Sequence, residues 1–250
     1  YSMNIVVCIS SVPDTTSKIN FTDNNSKFDS NGVQFVINPY DEFGLTKAMM
    51  LKEKYGGNVT VITVGDISVE PVMRKALAIG ADNAVRINTS PLDSYSTASA
   101  IANYLKENEI DLIIAGKESS DYNGGAVPGM IAELMNLPFI NACIGLEIEN
   151  NTARLIREID GGQEKVSTNL PCIIGGQKGL VNESDLRIPN MRGIMQARSK
   201  PLDVIEPESN ENLVESNIFE KPDAKNACKL IDANNVSELI SLLQNEAKVI

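Results

Sequence analysis

Residues 116–129, GKESSDYNGGAVPG, follow directly on the apolar run Asp111-Leu112-Ile113-Ile114-Ala115. A buried strand that opens into a lysine, paired serines, scattered carboxylates and a glycine pair has reached a place where polar and small groups are needed. Asn123-Gly124-Gly125 can turn tightly and aim backbone N–H groups outward at the start of a following helix. Such a turn binds an anion without any basic side chain. Asp121 could then accept a hydrogen bond from a ribose hydroxyl or from loop amides. A plainer reading stands beside it, in which Asp121 and Asn123 cap the helix and the glycines only reverse the chain. Pro128 fits either reading only in the first helical turn, where its missing N–H breaks no bond. Two other strand ends, Cys8-Ile9-Ser10-Ser11 and Val64-Gly65-Asp66, also carry small or polar groups. In an open parallel sheet, ligands lie beyond the carboxyl ends of the strands, where strand order reverses. Ser10, Gly65 and Asp121 are therefore expected around one adenine-type guest.

Much other chemistry is excluded by residue type. The chain has no histidine, which removes Ser-His, Cys-His and histidine-containing zinc arrangements. Its four cysteines, Cys8, Cys143, Cys172 and Cys228, form no Cys-x-x-Cys pair. Three of them lie in apolar runs and read as reduced, buried thiols of a cytoplasmic protein. Neither Gly-x-Gly-x-x-Gly nor the Gly-x-x-x-x-Gly-Lys-Ser/Thr loop occurs, and the carboxylates are too scattered to assign an acid–base pair. A formal charge of −11 argues against nucleic-acid binding by the surface as a whole. One local exception is Arg187, Arg192, Arg198 and Lys200, with no acidic residue between Arg187 and Lys200. Such a run is either a solvated basic face or a docking loop, and Met191 and Met195 within it are either core residues or an exposed apolar anchor.

The elements that must position these groups follow a βαβα rhythm. Asn4 to Ile9 is apolar on both parities, as a fully buried parallel strand requires. Residues 20–32 are rich in Asn, Asp and Ser and end in a turn at Asn31-Gly32 that leads into Val33–Ile37. At Asn38-Pro39-Tyr40-Asp41-Glu42, Asn38 suits a helix cap, Pro39 the first helical position, and the two carboxylates the positive end of the helix dipole. That helix is expected to run to about Tyr55 and stop at Gly56-Gly57. Strands over 58–64, 84–87 and 112–115 alternate with helices that carry Met73 and Leu77, then Ile101 and Leu105, on one stripe. From Asn141 the rhythm changes to short segments separated by Asn150-Asn151 and Gly161-Gly162, an antiparallel excursion over about 141–170. Pro171 to Gly176 then returns to the main sheet. Residues 206–231 read as an extended arm, and Asn235 with Glu238 opens a final helix striped by Val236, Leu239, Ile240 and Leu243.

The fold class that follows is α/β: an open, mainly parallel, doubly wound sheet of adenine-nucleotide-binding type, with a small antiparallel excursion and a C-terminal arm ending in a helix. Residues 1–205 form the body, with a partner-docking loop over about 187–198. The segment 206–250 packs either on its own core or on another chain. No apolar stretch is long enough to span a bilayer, and the N-terminus lacks the pattern of a signal peptide.

The chain closely resembles the beta subunits of electron-transfer flavoproteins. The resemblance is carried by Val6 to Asp14, Asn38 to Glu42, Ala78-Ile79-Gly80-Ala81-Asp82, and Arg187 to Ala197, with Arg157 to Gly162 also fitting. It covers about residues 3–205 and is most specific at Arg187 to Ala197. It implies an electron-carrying heterodimer with an alpha subunit that holds most of the FAD contacts, and no acid–base catalysis by this chain. In most members of the family the beta subunit holds AMP, and in electron-bifurcating members that oxidise NADH it holds a second FAD. The segment 187–198 corresponds to the loop that docks acyl-CoA and related dehydrogenases, with Met191 at the anchor. Cys8, Ser10, Asn38, Gly65, Asp66, Asp121, Asn123, Gly124, Gly125, Ala126 and Val127 fall where the family encloses its nucleotide. Where family loops bring a Gln and then Thr-Gly or Val-Gly to the phosphate, this chain has Ala126, Val127 and Pro128; either Gly124 and Gly125 offer amides in place of side-chain donors, or this member binds AMP weakly or holds no nucleotide. A stand-alone adenine-nucleotide sensor is the rival reading, and it leaves the basic segment and the arm unexplained.

Overall fold

The computed structural model describes residues 2–209 and 211–250. Strand β1 (Met3–Cys8) is followed by a short β2 (Ser11–Pro13), a two-residue hairpin of β3 (Phe21–Thr22) and β4 (Lys27–Phe28), and β5 (Phe35–Ile37). Then come α1 (Pro39–Tyr55), β6 (Gly57–Val64), a 3-10 turn over Ile67–Val69, α2 (Glu70–Ile79), β7 (Asn83–Ile87), α3 (Ser94–Leu105), β8 (Leu112–Gly116) and α4 (Val127–Met135). The excursion is β9 (Phe139–Glu149), β10 (Thr152–Ile159) and β11 (Gly162–Asn169). The chain returns through β12 (Cys172–Gly176), α5 (Met191–Ala197) and β13 (Leu202–Ile205), and α6 (Val236–Leu242) lies near its end.

Among the described residues the main sheet has nine strands in the order β11-β10-β9-β12-β8-β1-β6-β7-β13. From β9 to β13 neighbouring strands run parallel, and only the β9–β10 and β10–β11 pairings are antiparallel. The chain moves outward from β1 through β6 to β7, then crosses back to β8 on the other side of β1. Strand order therefore reverses between β1 and β8, and their carboxyl ends flank the expected crevice.

Alternation along β1 divides the core. Met3, Ile5, Val7 and Ile9 pack with α1 and α2 on one face, and Val6 and Cys8 pack with α3 and α4 on the other. This is why the strand is apolar on both parities, and each such side chain fully buried contributes about 1.5–3 kcal/mol. The excursion turns at Asn150 and Asn151, both left-handed (φ 47° and 65°), and at Gly161 (φ 83°).

Three features differ from the sequence expectation. Only Phe35–Ile37 of the segment 33–37 is a strand, and it pairs with β2 in a separate ribbon outside the main sheet. The basic segment is not a plain loop, because Met191–Ala197 forms a helical pair of turns. Residues 202–205 add the edge strand β13 beside β7. Beyond it, the arm is held at scattered points: Asp93 accepts the amides of Leu213 and Val214 at 2.8 and 2.9 Å, and Phe219 stacks on Phe21 with ring centres 5.1 Å apart. Asn235 caps α6 and bonds Glu238 as expected, yet Val236, Leu239 and Ile240 remain 57%, 43% and 45% exposed. The stripe faces solvent instead of the core.

Candidate functional site

The start of α1 sits directly over the point where strand order reverses. Pro39 occupies its first turn, and the carbonyl of Asn38 accepts the amides of Asp41 and Glu42. The Asn38 side chain does not cap this helix, contrary to expectation. It reaches across to the loop after β8, donating to the Glu118 carbonyl at 2.9 Å and accepting the Ser120 amide at 3.0 Å. The backbone amide of Asn38 donates to the Ser10 carbonyl at 2.9 Å. With Pro39 contributing no N–H, the helix end has less need of a cap, and a buried amide side chain is better satisfied by the facing loop.

Asp41 completes the tie. One carboxylate oxygen accepts the Ser10 amide at 2.7 Å and the other accepts the Gly116 amide at 2.9 Å. A single buried side chain thus bridges the ends of β1 and β8. Burial pushes its pKa up from 3.8 to about 7, opposed by the Ser10 amide, Asn38 and the Gly116 amide and assisted by the charge of Asp121. Gly116 has to be glycine, because a Cβ there would collide with the Asp41 carboxylate. Cys8 lies beside this group, and burial together with Asp41 raises its thiol to about 12. Sequence reasoning missed the role of Asp41 because its position in the first turn already explained a carboxylate.

On the β6 side, Thr63 donates to the Ile9 carbonyl at 3.0 Å and so ties the end of β6 to β1. Gly65 follows, buried, and a Cβ on it would meet Val69 at 2.5 Å. Arg86, only 5% exposed, donates to the Gly65 carbonyl at 3.0 Å and pairs with Glu70 at 3.0 Å. No periodic or motif signal singled out Arg86, an isolated charge inside an apolar strand. Asp66 is exposed and holds the turn over Ile67–Val69 by accepting the Ser68 hydroxyl and amide, which keep its carboxyl below the usual range.

Ser10, Asn38 and the Glu118–Ser120 stretch are therefore joined by direct bonds, with Cys8 buried beside Asp41, and Gly65 stands at the end of the neighbouring strand. Asp121, Asn123, Gly124 and Gly125 form an exposed turn further along the same loop. Asn123 and Gly125 are left-handed there (φ 50° and 61°), and the Asn123 amide returns to the Ser119 carbonyl at 2.8 Å. Ala126 precedes α4 without any side-chain cap, Val127 begins it, and Pro128 lies within its first two positions. Asp121 and Asn123 do not cap the helix, so no side chain takes up its first amides.

Recessed space also lies on the opposite side of β8. Cavities of about 720 and 440 Å3 sit beneath the β10–β11 hairpin, the larger against Ile144, Ile156 and Gly179 and the smaller against Tyr40, Lys117, Gln177 and Lys178. They are shaped by the excursion and not by the strand ends at Ser10 and Gly65.

Near α5, Ile188, Met191 and Met195 are 84%, 74% and 67% exposed. Arg187 is paired with Glu53 through two bonds of 2.7 and 2.8 Å, so it does not point freely outward.

Comparison with known proteins agrees with these observations. A family profile described as electron transfer flavoprotein domain matches residues 26–210. The chain is similar to the electron transfer flavoprotein subunit beta of Bacillus subtilis, with 37% identity over 99% of this chain and 100% of that one. It resembles the subunit of the same name from Syntrophomonas wolfei at 32% identity over 99% and 98% of the two chains. Protein FixA of Azotobacter vinelandii is 29% identical over 81% of this chain and 74% of its own length. The matched segment runs along the chain from β4 to β13, and with these relatives it shows that the chain belongs to the electron transfer flavoprotein beta-subunit family.

Proposed function

We propose that this chain is the beta half of a cytoplasmic electron-carrying heterodimer whose FAD sits mainly on an alpha subunit, and that it docks acyl-CoA or related dehydrogenases through residues 187–198. The observation that carries the reading is the exposed row of Met191 and Met195 on a short helix and Ile188 just before it, with uncovered Arg192 and Arg198 beside them. Apolar surface exposed here beside free arginines has a use, since a central apolar anchor flanked by arginine is the usual composition of an energetic hot spot.

The strand-end loops would hold AMP as a structural ligand. The residues present fit such a group: Cys8, Ser10, Asn38, Gly65 and Asp66 border the adenosine side, and Asp121 accepts from ribose hydroxyls. Asn123 shapes the turn, its own amide being held by the Ser119 carbonyl, and Gly124, Gly125, Ala126 and Val127 offer main-chain amides to phosphate at an uncapped helix start. AMP supplies no redox chemistry. The residues of this chain bind and orient it, and Asn38 and Asp41 hold the loops that do so. FAD, when bound on the alpha subunit, supplies the electron relay.

The test is to purify the chain with its alpha subunit and count flavin and AMP released per heterodimer. One flavin and one AMP are expected. Two flavins would make the complex a bifurcating one, and a complex without flavin that accepts no electrons from an acyl-CoA dehydrogenase would end the proposal. Met191→Ala should raise KM for that dehydrogenase about tenfold or more at unchanged cofactor content, the loss of one hot-spot side chain.

A further inference from the structure

Helices α2 and α5 finish each other's ends. Lys200, just beyond α5, sends its ammonium to the carbonyls of Leu77 at 2.9 Å and Ala81 at 2.6 Å, at the carboxyl end of α2. Arg74, on α2, sends one guanidinium nitrogen back to the carbonyls of Ala197 and Lys200, both at 2.8 Å, at the carboxyl end of α5. Terminal carbonyls of a helix lack intrahelical donors and carry its negative partial charge. Each helix therefore contributes the cation that the other's end requires.

Little else could hold α5 where it is. A helix of seven residues is far too short to persist alone. Ala197 is its only buried residue, so apolar burial contributes little. Contact with α2 is nevertheless close: a Cβ on Gly193 would run into the Ala78 carbonyl, and Asn190 caps the first turn by accepting the Gly193 amide at 2.7 Å. Burial lowers the pKa of the Lys200 ammonium, with Asp82 opposing and Lys52 adding to the shift, consistent with a charge withdrawn from water into this contact.

We infer that Arg74 and Lys200 are positioning residues, a reciprocal cap that seats α5 on α2 so that Ile188, Met191 and Met195 stand out as a preformed docking face. Neither cation meets the partner. Of the basic residues in the segment, Arg187 is engaged by Glu53 and Lys200 by α2, which leaves Arg192 and Arg198 as the charges offered outward. The partner surface that fits is an apolar pocket with an acidic rim. Ordering the segment before contact lowers the cost of binding it. The inference rests on the docking role proposed above.

Hydrogen exchange and steady-state kinetics separate the two. In the full chain, Lys200→Met and Arg74→Met should each speed exchange of the 191–197 amides at least tenfold, while β1 and β8 remain protected as in the parent. Lys200→Arg should restore protection. With an acyl-CoA dehydrogenase as the probe, the two methionine variants should raise KM about five- to twentyfold at unchanged kcat, as a loss of preorganisation predicts. Unchanged exchange in both methionine variants would overturn the cap, whatever the kinetics show. Faster exchange with KM unaltered, under conditions where Met191→Ala raises it, would overturn its bearing on docking. If Met191→Ala itself has no effect, the docking role falls while the exchange data still decide the cap. Should Lys200→Met fail to fold, Lys200→Gln and Arg74→Gln carry the same comparison.

Discussion

At Asp41 two demands conflict. Its carboxylate is needed by the Ser10 and Gly116 amides, yet burial raises its pKa to about 7. Because the folded value lies above the ordinary 3.8, the stability this group contributes is full below about pH 4 and is lost as pH rises toward 7. Asp41→Asn removes the titration but turns an NH2 group toward one of the two amides, at a cost of about 1–3 kcal/mol. The variant is expected to be clearly less stable than the parent at pH 5 and to approach it by pH 8. Urea unfolding at both values measures this, and a difference that does not change with pH contradicts it. The cysteines give a second expectation. Cys8, Cys143 and Cys172 are buried, with burial raising their thiols to about 12, 12 and 11, and Cys228 is exposed. A disulfide reagent should therefore titrate one thiol in the native chain and four after denaturation; rapid labelling of a second native thiol would show the strand ends to be open. Burial of these thiols was legible from their apolar surroundings. The bridging role of Asp41 was not, because it depends on which loop the topology brings opposite the helix start, and no local spacing encodes that.

Among the elements, those whose side-chain pattern alone settles their environment were the readable ones. β1, β6 and β8 are apolar on both parities and could only be central, and α2 and α3 carry single stripes. β5, β13 and α5 are short, and their form comes from tertiary partners: β5 from β2, β13 from β7, α5 from α2. Tight junctions between elements should be the least tolerant places in the molecule. Gly57, which joins α1 to β6, has φ 107°, and a Cβ on it would collide with the Met3 backbone at the start of β1. Gly57→Ala combines a left-handed strain with a steric block on the first β1–β6 pair. A loss of about 2–4 kcal/mol is expected, the size of the severe backbone and overpacking effects. Thermal unfolding checks it, with Gly161→Ala as a control, since that glycine is left-handed but meets nothing within 4 Å. Equal losses in both variants would mean that φ alone, and not the approach of β1, sets the requirement.

Over the whole molecule, the body and the arm obey different physics. The body closes two cores around one sheet, whereas Leu213, Val214, Ile218 and Leu230 of the arm are 65%, 67%, 63% and 89% exposed. Apolar surface distributed along an extended strap, with α6 turning its stripe outward, gains nothing unless another surface covers it. Among the described residues, the hydrogen bonds and ring contact that tie the strap to the body, from Asn88, Asp93, Asn25, Phe21 and Asn20, all lie before residue 222. Beyond them, Lys225 and Lys229 stand exposed in chain with no regular structure. Trypsin acting on the free chain should therefore cut first after these two residues, leaving the body intact, while Lys221 is spared because Pro222 follows it. If the arm covers an alpha subunit, complex formation should slow both cuts by tenfold or more and leave cleavage of other exposed lysines, such as Lys18, little changed. Equal rates in the free chain and the heterodimer would place the arm outside the subunit contact, and its apolar residues would then need a different partner.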